Sequence, residues 1–541
     1  MTRRSRRALM LAATLILCEG GASAAAPTAP PHLVKQGGRY ALVVDGKPFL
    51  MLGAQVNNSS NYPAALPKVW PIIDRLGGNT LEVPVAWEQI EPTEGKFDFS
   101  WVDILLAQAR QHDQRLVLLW FGTWKNTGNS YQPEWVKLDT KRFPRFISAK
   151  GETQYTASPH FRTTLEADKK AFVRLMEHLK TVDPQNTVIM VQVENETGIY
   201  GGVRDHSPVA QKAFEGAAPA ALVRALGAKP GTWSQAFGKD ADEYFNAWAI
   251  STYVNEIAAA GKAVKPLPMY VNAALSDPFK KQNPDTYASG GPTHDVLAVW
   301  KAGAPAIDLA APDIYNPDYA TYMRYLDLFQ RPDNALFVPE TGNARPYARY
   351  FFPVVGRGGI GFSPFGMDAT GYMNFPLGAE KLDDATLGAF AANYALFRPL
   401  QTIWPALALE GKTWGVAEPG PDDPKHAATM ELGRWRATAT FGRAQFGMKP
   451  PTGNETPSGG AAIAEIGPDE YLVTGYHVRV EFALAKPDPG DHVMMARVEE
   501  GHYDSAGRWV FERVWNGDQT DYGLNFTSIP QLLHVKLAAY R

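Results

Sequence analysis

Glu196 and Glu340 are the residues whose setting most suggests chemistry. The first lies in Val-Gln-Val-Glu-Asn-Glu-Thr-Gly (191–198), the second in Leu-Phe-Val-Pro-Glu-Thr-Gly-Asn (336–343). Each closes a short apolar run that reads as a buried strand. Two carboxyl groups facing one pocket are the equipment for glycosidic bond cleavage: one attacks the anomeric carbon, the other protonates the leaving oxygen and then activates water. Asn195 sits just before the first glutamate, where its carboxamide can bind a sugar 2-hydroxyl. Glu194 would share the face of Glu196 on a straight strand. A turn after Val193 would separate them, so Glu194 reads as structural. Gln55 and Asn57 close an earlier apolar run and suit the pocket floor. Asn272 ends another and is a candidate sugar contact. Trp124 is either a sugar platform or a lid over the core. Glu91, before Pro92, reads as structural.

These residues need a scaffold that brings strand ends together. Apolar runs at 49–56, 80–85, 115–121, 187–193, 269–274, 307–314, 335–338 and 359–362 alternate with helical patterns. The clearest helix is 241–260, with Phe245, Trp248, Ala249, Tyr253 and Ile257 near one face. Eight strands with intervening helices predict a (β/α)8 TIM barrel over 32–400, whose chemistry sits at the C-terminal strand ends. Glu196 then follows the fourth strand and Glu340 the seventh, across the barrel mouth. A doubly wound sheet is the rival, but no glycine-rich nucleotide loop follows the first strand. Beyond Trp404, short β-like runs punctuated by Pro, Gly and Asp predict a C-terminal antiparallel β-sandwich domain over 405–541.

The 541 residues exceed one ordinary domain, and 45% apolar with 20% charged residues suits a large packed core. A net charge of −3, without a basic run past the first seven residues, points away from nucleic acid and anionic membranes. Arg3, Arg4, Arg6 and Arg7, the apolar stretch 8–17 and Ala22-Ser23-Ala24 read as a signal peptide (1–24). Ala26 is a rival cleavage point. The segment implies export to the periplasm or outside, by the general or the twin-arginine route, with no membrane attachment after cleavage. The single cysteine, Cys18, lies inside it. No disulfide, thiolate nucleophile or Cys-ligated metal is therefore expected. No His-Glu-x-x-His or Gly-x-Ser-x-Gly occurs, and no metal or cofactor is expected.

At Gln-Val-Glu-Asn-Glu-Thr-Gly (192–198) the chain resembles the acid/base motif of glycoside hydrolase family 35 β-galactosidases. Its stretch Trp-Glu-Gln-Ile-Glu-Pro-Thr-Glu-Gly-Lys-Phe-Asp-Phe (87–99) is similar to a second-strand loop of families 35 and 42. The β-rich tail resembles the extra domain of a bacterial branch of family 35. The resemblance implies Glu196 as acid/base, Glu340 as nucleophile and Asn195 as 2-hydroxyl partner. It also implies that the Tyr315 hydroxyl binds and orients the nucleophile. Two departures stand out. Thr197 replaces the family's Tyr, and Gly122-Thr123-Trp124-Lys125-Asn126 lacks the family's Ala-Glu, leaving Lys125 or Asn126 to grip the sugar. The implied activity is retaining, exo-acting release of terminal β-galactose from oligosaccharides or plant polysaccharide side chains such as those of xyloglucan. The alternatives are a retaining β-glycosidase of the same clan acting on another sugar, and a non-catalytic glycan-binding protein.

Overall fold

The computed structural model describes residues 29–442 and 451–541. The expected signal segment lies outside the described residues. The barrel strands are β1 (Met51–Gln55), β2 (Thr80–Ala86), β3 (Arg115–Lys125), β4 (Val188–Asn195), β5 (Met269–Ala273), β6 (Leu309–Ile314), β7 (Val338–Thr341) and β8 (Gly361–Pro364). They close into one ring in chain order. Every pairing around the ring is parallel.

The two-residue period of a strand assigns its side chains to two cores. Along β3, Leu116, Leu118 and Trp120 face the outer helices. Val117, Leu119 and Phe121 fill the barrel interior. That interior also takes Leu42 and Val44, from an antiparallel sheet of His32–Gln36, Arg39–Val44 and Lys47–Phe49. The predicted helix at 241–260 is Ala241–Val264 (α1). It buries Phe245, Tyr253 and Ile257, while Trp248 and Ala249 sit at its margin, half-buried. Among the described residues, no helix is long and apolar enough to cross a membrane.

Five strands, β2, β3, β4, β7 and β8, run past their expected ends. β4 continues to Asn195, and β7 starts at Val338 and includes Glu340. Pairing with neighbours holds both: Lys125 is in register with Asn195, and Asp313 with Glu340. Hydrophobic pattern does not encode that cross-strand support, so the apolar runs mark the buried parts of these strands rather than their hydrogen-bonded limits.

After a helix at Ile403–Leu409, which crosses the expected boundary at 405, the chain forms two antiparallel sheets. One has six strands: Thr413–Ala417 (β9), Gly460–Gly467, Glu470–Tyr476, Leu532–Tyr540, His492–Tyr503 and Trp509–Val514, in spatial order. The other has four: Ala427–Leu432, Trp435–Phe441, Val478–Leu484 and Leu524–Phe526. Strand Trp435–Phe441 alternates strictly, with Trp435, Ala437, Ala439 and Phe441 buried between the sheets. The opposite face of the larger sheet is also covered. Ala417, Ala462, Ala464, Leu472 and Leu532 belong to the hydrophobic cluster of the barrel's outer layer. Here β9 lies against the short helix Phe351–Gly356 (α2), backbone on backbone. A Cβ on Gly356 would strike the Gly415 backbone, and one on Gly415 the Phe352 carbonyl.

This contact predicts that Gly415→Leu separates α2 from β9 and destabilises the whole chain. Overpacking of this kind costs roughly 1–3 kcal/mol. Calorimetry should show a lower Tm for the variant; an unchanged Tm would mean that the sheet is not held at this point.

Candidate active site

The site is built where β4, β6 and β7 end. Glu196 and Glu340 converge there with a third acid, Asp313, which the sequence reading did not single out. One carboxyl oxygen from each of the three lies within 4.8 Å of the others. A signal for Asp313 was available: it is the charged residue in the otherwise apolar strand Leu-Ala-Ala-Pro-Asp-Ile. Glu82 in β2 carries the same signal. It is buried inside the barrel, takes a hydrogen bond from the Tyr270 hydroxyl at 3.1 Å, and is pushed up to about 8, chiefly by burial.

The backbone after Val193 explains how two nearby glutamates part company. Glu194 (φ 65°) and Glu196 (φ 43°) are both left-handed, a conformation that side-chain-bearing residues adopt only when their surroundings hold it. Asn272 Oδ1 accepts from the Glu196 N–H at 2.9 Å, and the Thr127 N–H donates to the Glu196 carbonyl at 3.0 Å. Glu194 turns away from the pocket. Its Oε2 accepts from the Trp124 N–H at 2.7 Å, and its carboxyl meets Asp168. Asp168 takes hydrogen bonds from Trp120 Nε1, the Thr123 N–H and Thr123 Oγ1. Burial first, and then the Asp168 charge, push Glu194 well above the usual carboxylate range. Glu194 therefore keeps its proton and donates it to Asp168.

Glu340 is gripped by two donors. The Tyr315 hydroxyl donates to Oε1, and Gln55 Nε2 donates to Oε2 at 3.1 Å. Burial and the Glu340 charge raise the Tyr315 phenol, which stays a donor. Tyr315 is itself anchored, because its carbonyl accepts from the Tyr347 hydroxyl. Glu196 is pushed up to about 7, first by burial, then by the Glu340 charge, with Lys125 opposing. Lys125 Nζ donates to Asn195 Oδ1 at 2.7 Å and to Asn126 Oδ1 at 2.5 Å. The Asn195 carboxamide is thereby oriented with its buried Nδ2 left without a partner. Burying such a donor is unfavourable unless something accepts from it, so this atom is poised for a ligand oxygen. The donors Tyr315, Gln55 and Asn272 already face the carboxyl oxygens, and the group is equipped to handle protons and hydroxyls.

The remaining expected residues fall in different places. Gln55 contacts Glu340 directly rather than only lining a floor. Asn57 is turned to the loop after β8: its N–H and Nδ2 donate to Asp368, at 2.8 and 3.0 Å. Asn126 is exposed beside Lys125. Asn272 is corrected from sugar contact to bracket, since its Oδ1 holds Glu196 and its Nδ2 donates to Asp313 at 2.6 Å. Trp124 is corrected from platform to core. It is 1% exposed, packs on Tyr253 at 4.7 Å between ring centroids, and gives its Nε1 to the Ala157 carbonyl. The neighbouring Thr123 and Glu194 pull this segment into the barrel wall. Glu91 is structural, accepting from Trp87 Nε1 and the Gly95 N–H.

Comparison with known proteins agrees with the class of this site. Residues 70–260 match the glycoside hydrolase family 42 model, described as beta-galactosidase. This part of the barrel is thus similar to the family 42 glycoside hydrolases. The match is to family 42, which the loop 87–99 resembles, and not to family 35, which the motif at 192–198 resembles. Residues 390–527 match a domain of unknown function, DUF5597. Two similar curated proteins are beta-galactosidases. One is from Xanthomonas manihotis, 30% identical over 220 residues, covering 39% of this chain and 33% of that protein. The other is Beta-galactosidase 14 of Arabidopsis thaliana, 28% identical over 163 residues, covering 29% and 17%. The chain spans a third or less of the length of these relatives. Among solved structures, a GH42 beta-galactosidase from G. stearothermophilus aligns with TM-score 0.49 and 14% identity, over 70% of this chain and 59% of that one.

The Glu194–Asp168 pair makes a prediction about stability. The folded-state value of Glu194 lies above its unfolded one. The stability tied to its proton is therefore complete below the ordinary carboxylate range and falls away as pH rises toward the raised value. Glu194→Gln places an N–H where the proton sits. Its stability, from urea unfolding at several pH values, should be flatter than wild type as pH rises above the ordinary carboxylate range. A loss over that range equal to wild type would exclude the shared proton.

Proposed function

We propose that this chain is a retaining exo-β-galactosidase that releases terminal β-galactose by double displacement, from oligosaccharides or plant polysaccharide side chains of the xyloglucan kind. It would act after export to the periplasm or beyond. The observation that carries the reading is the close approach of Glu196 and Glu340, with one carboxyl oxygen of each within 4.8 Å of the other. Retaining enzymes hold the pair at about 5–5.5 Å, whereas inverting enzymes leave about 6.5–9.5 Å for a water. The short separation supports direct attack by one carboxylate.

The Glu340 carboxylate, oriented by Tyr315 and Gln55, attacks the anomeric carbon. Glu196 gives its proton to the departing oxygen. A covalent galactosyl-enzyme results, with the Glu340 charge consumed in the new bond. Glu196, now a carboxylate, takes a proton from water, which attacks the same carbon and frees Glu340. The pocket supplies the change of role: the Glu340 charge helps to hold a proton on Glu196 at rest and vanishes in the intermediate. The free Asn195 Nδ2 meets the sugar 2-hydroxyl, a contact that strengthens in the transition state.

The beta-galactosidase match at 70–260 supports galactose as the sugar. The stretch 122–126, which lacks the glutamate of the resembled family and offers Lys125 or Asn126 instead, is the observation that favours testing other sugars of the clan. A panel of nitrophenyl β-glycosides answers this: galactoside turnover should dominate, and preference for another sugar would replace the assignment.

Glu340→Gln should lower kcat by on the order of 10⁴-fold. Wild-type turnover in that variant would overturn the mechanism. Added azide should restore part of the activity of Glu340→Gly and yield a galactosyl azide of inverted configuration, detectable by NMR.

With Glu196 at about 7, kcat/KM should fall on the alkaline side near neutral pH, as Glu196 loses the proton it must donate. Carbon-13 titration of glutamate-labelled protein should show Glu196 titrating lower in Glu340→Gln than in wild type, because a negative neighbour is gone. An unmoved titration would remove Glu340 as the cause.

A further inference from the structure

Asp313 has no part in the double displacement as written, yet it is the acid most tightly enclosed with the pair. It is 4% exposed and lies in register with Glu340 on the neighbouring strand. Oδ2 accepts from Asn272 Nδ2 at 2.6 Å, while Oδ1 is buried and receives no donor. The Asp313 and Glu196 carboxyls are in hydrogen-bonding contact. Two carboxylates only accept, so the contact requires a proton on one of them. Glu196 is the more open to the pocket and is the group that must give its proton away. Once it does, the contact survives only if Asp313 carries a proton of its own.

We propose, on the reading of function given above, that Asp313 is the positioning partner of the acid/base. It stays protonated through the cycle and donates Oδ1–H to the Glu196 carboxyl, while Asn272 fixes its other oxygen. The proton balance is simple. One proton leaves Glu196 with the departing alcohol, one returns from water, and the Asp313 proton never leaves. Glu196 thus keeps one donor when it is a carboxylate. Asn272 completes the bracket by holding the Glu196 N–H and Asp313 with one amide.

The groups around Asp313 support a retained proton. Glu340 faces it from β7, Glu196 from just beyond β4, Tyr270 from β5 and Tyr315 from just beyond β6. Lys125 faces it from β3 with its ammonium turned to Asn195 and Asn126. Burial, and next the Glu340 charge, push Asp313 well above the usual aspartate range, with Lys125 pulling the other way.

The test uses the full chain with Asp313→Asn and Asp313→Ala. Asparagine keeps the shape, accepts from Asn272 and offers an N–H where the proposal puts an O–H. Asp313→Asn should retain more kcat/KM on nitrophenyl β-galactoside than Asp313→Ala and leave the alkaline limb in place. Asp313→Ala leaves the Glu196 carboxylate without its donor. Its kcat/KM should fall by about 10–100-fold on an alkyl galactoside, and its limb should move up by about one pH unit. The proposal is overturned if Asp313→Asn lowers the limb, which would mean that a negative charge had been removed. It is equally overturned if both variants lose activity with the limb unmoved, as a purely structural residue would cause. Carbon-13 titration of Glu196 in wild type and Asp313→Asn reads the same sign without turnover. Matching titrations support the proposal, and a value lowered by about one unit rejects it. Absence of galactoside turnover in wild type would instead overturn the functional reading and leave this titration to judge Asp313.

Discussion

Like charges crowded into a dry space dominate this molecule. Glu196, Glu340 and Asp313 converge at the barrel mouth, and Glu82 lies in the interior with them. Such a set cannot be fully ionised where water is scarce. Protons and donors must be shared out among the carboxyls, and much of the surrounding structure does this. Tyr315 and Gln55 serve Glu340, Asn272 serves Asp313 and the Glu196 backbone, and Tyr270 serves Glu82. The register of β1, β2, β5, β6 and β7 matters because a shift of one residue would send the side chains they contribute to the outer face.

The same constraint appears again in the barrel wall, just behind the mouth. Glu194 and Asp168 solve it with one proton and four protein donors, out of reach of substrate. The two left-handed residues flanking Asn195 keep the two solutions apart. An extended strand would have put Glu194 and Glu196 on one side. The kink sends one into the wall and the other into the mouth, and leaves Asn195 between them, with its carboxamide steered by Lys125.

Much of this architecture was legible beforehand, because it rests on patterns that burial writes into a chain. The eight strands announce themselves as apolar runs, and Glu196, Glu340 and Asn195 stand where those runs end. Tyr315 was legible through resemblance. What escaped depends on partners distant in sequence. Trp124 resembles an exposed platform until the Ala157 carbonyl and Tyr253 enclose it. Asn272 could as well have faced a sugar, and only the arrival of Glu196 and Asp313 from other strands occupies both ends of its amide. Asp313 was visible as a charge in an apolar strand, but a lone acid there has many explanations until its neighbours are known. The ends of β4 and β7 were missed for a related reason: hydrogen bonding to a neighbour extends a strand beyond its hydrophobic stretch.

The contact between α2 and β9 bears on how such proteins are inherited. Glycine meets backbone there with no side chain between, and residues of the larger sheet complete the barrel's outer layer. The family match of unknown function, 390–527, starts within the last barrel helix, Asp384–Phe397, rather than after it. A gene fusion that moved only the sheets to a new catalytic partner would carry a bare hydrophobic face and leave another behind. The unit able to travel by recombination is the sandwich together with the helices it sits on. Shuffling of this tail among unrelated barrels should accordingly be rare, and its companions should share the same small-residue docking surface.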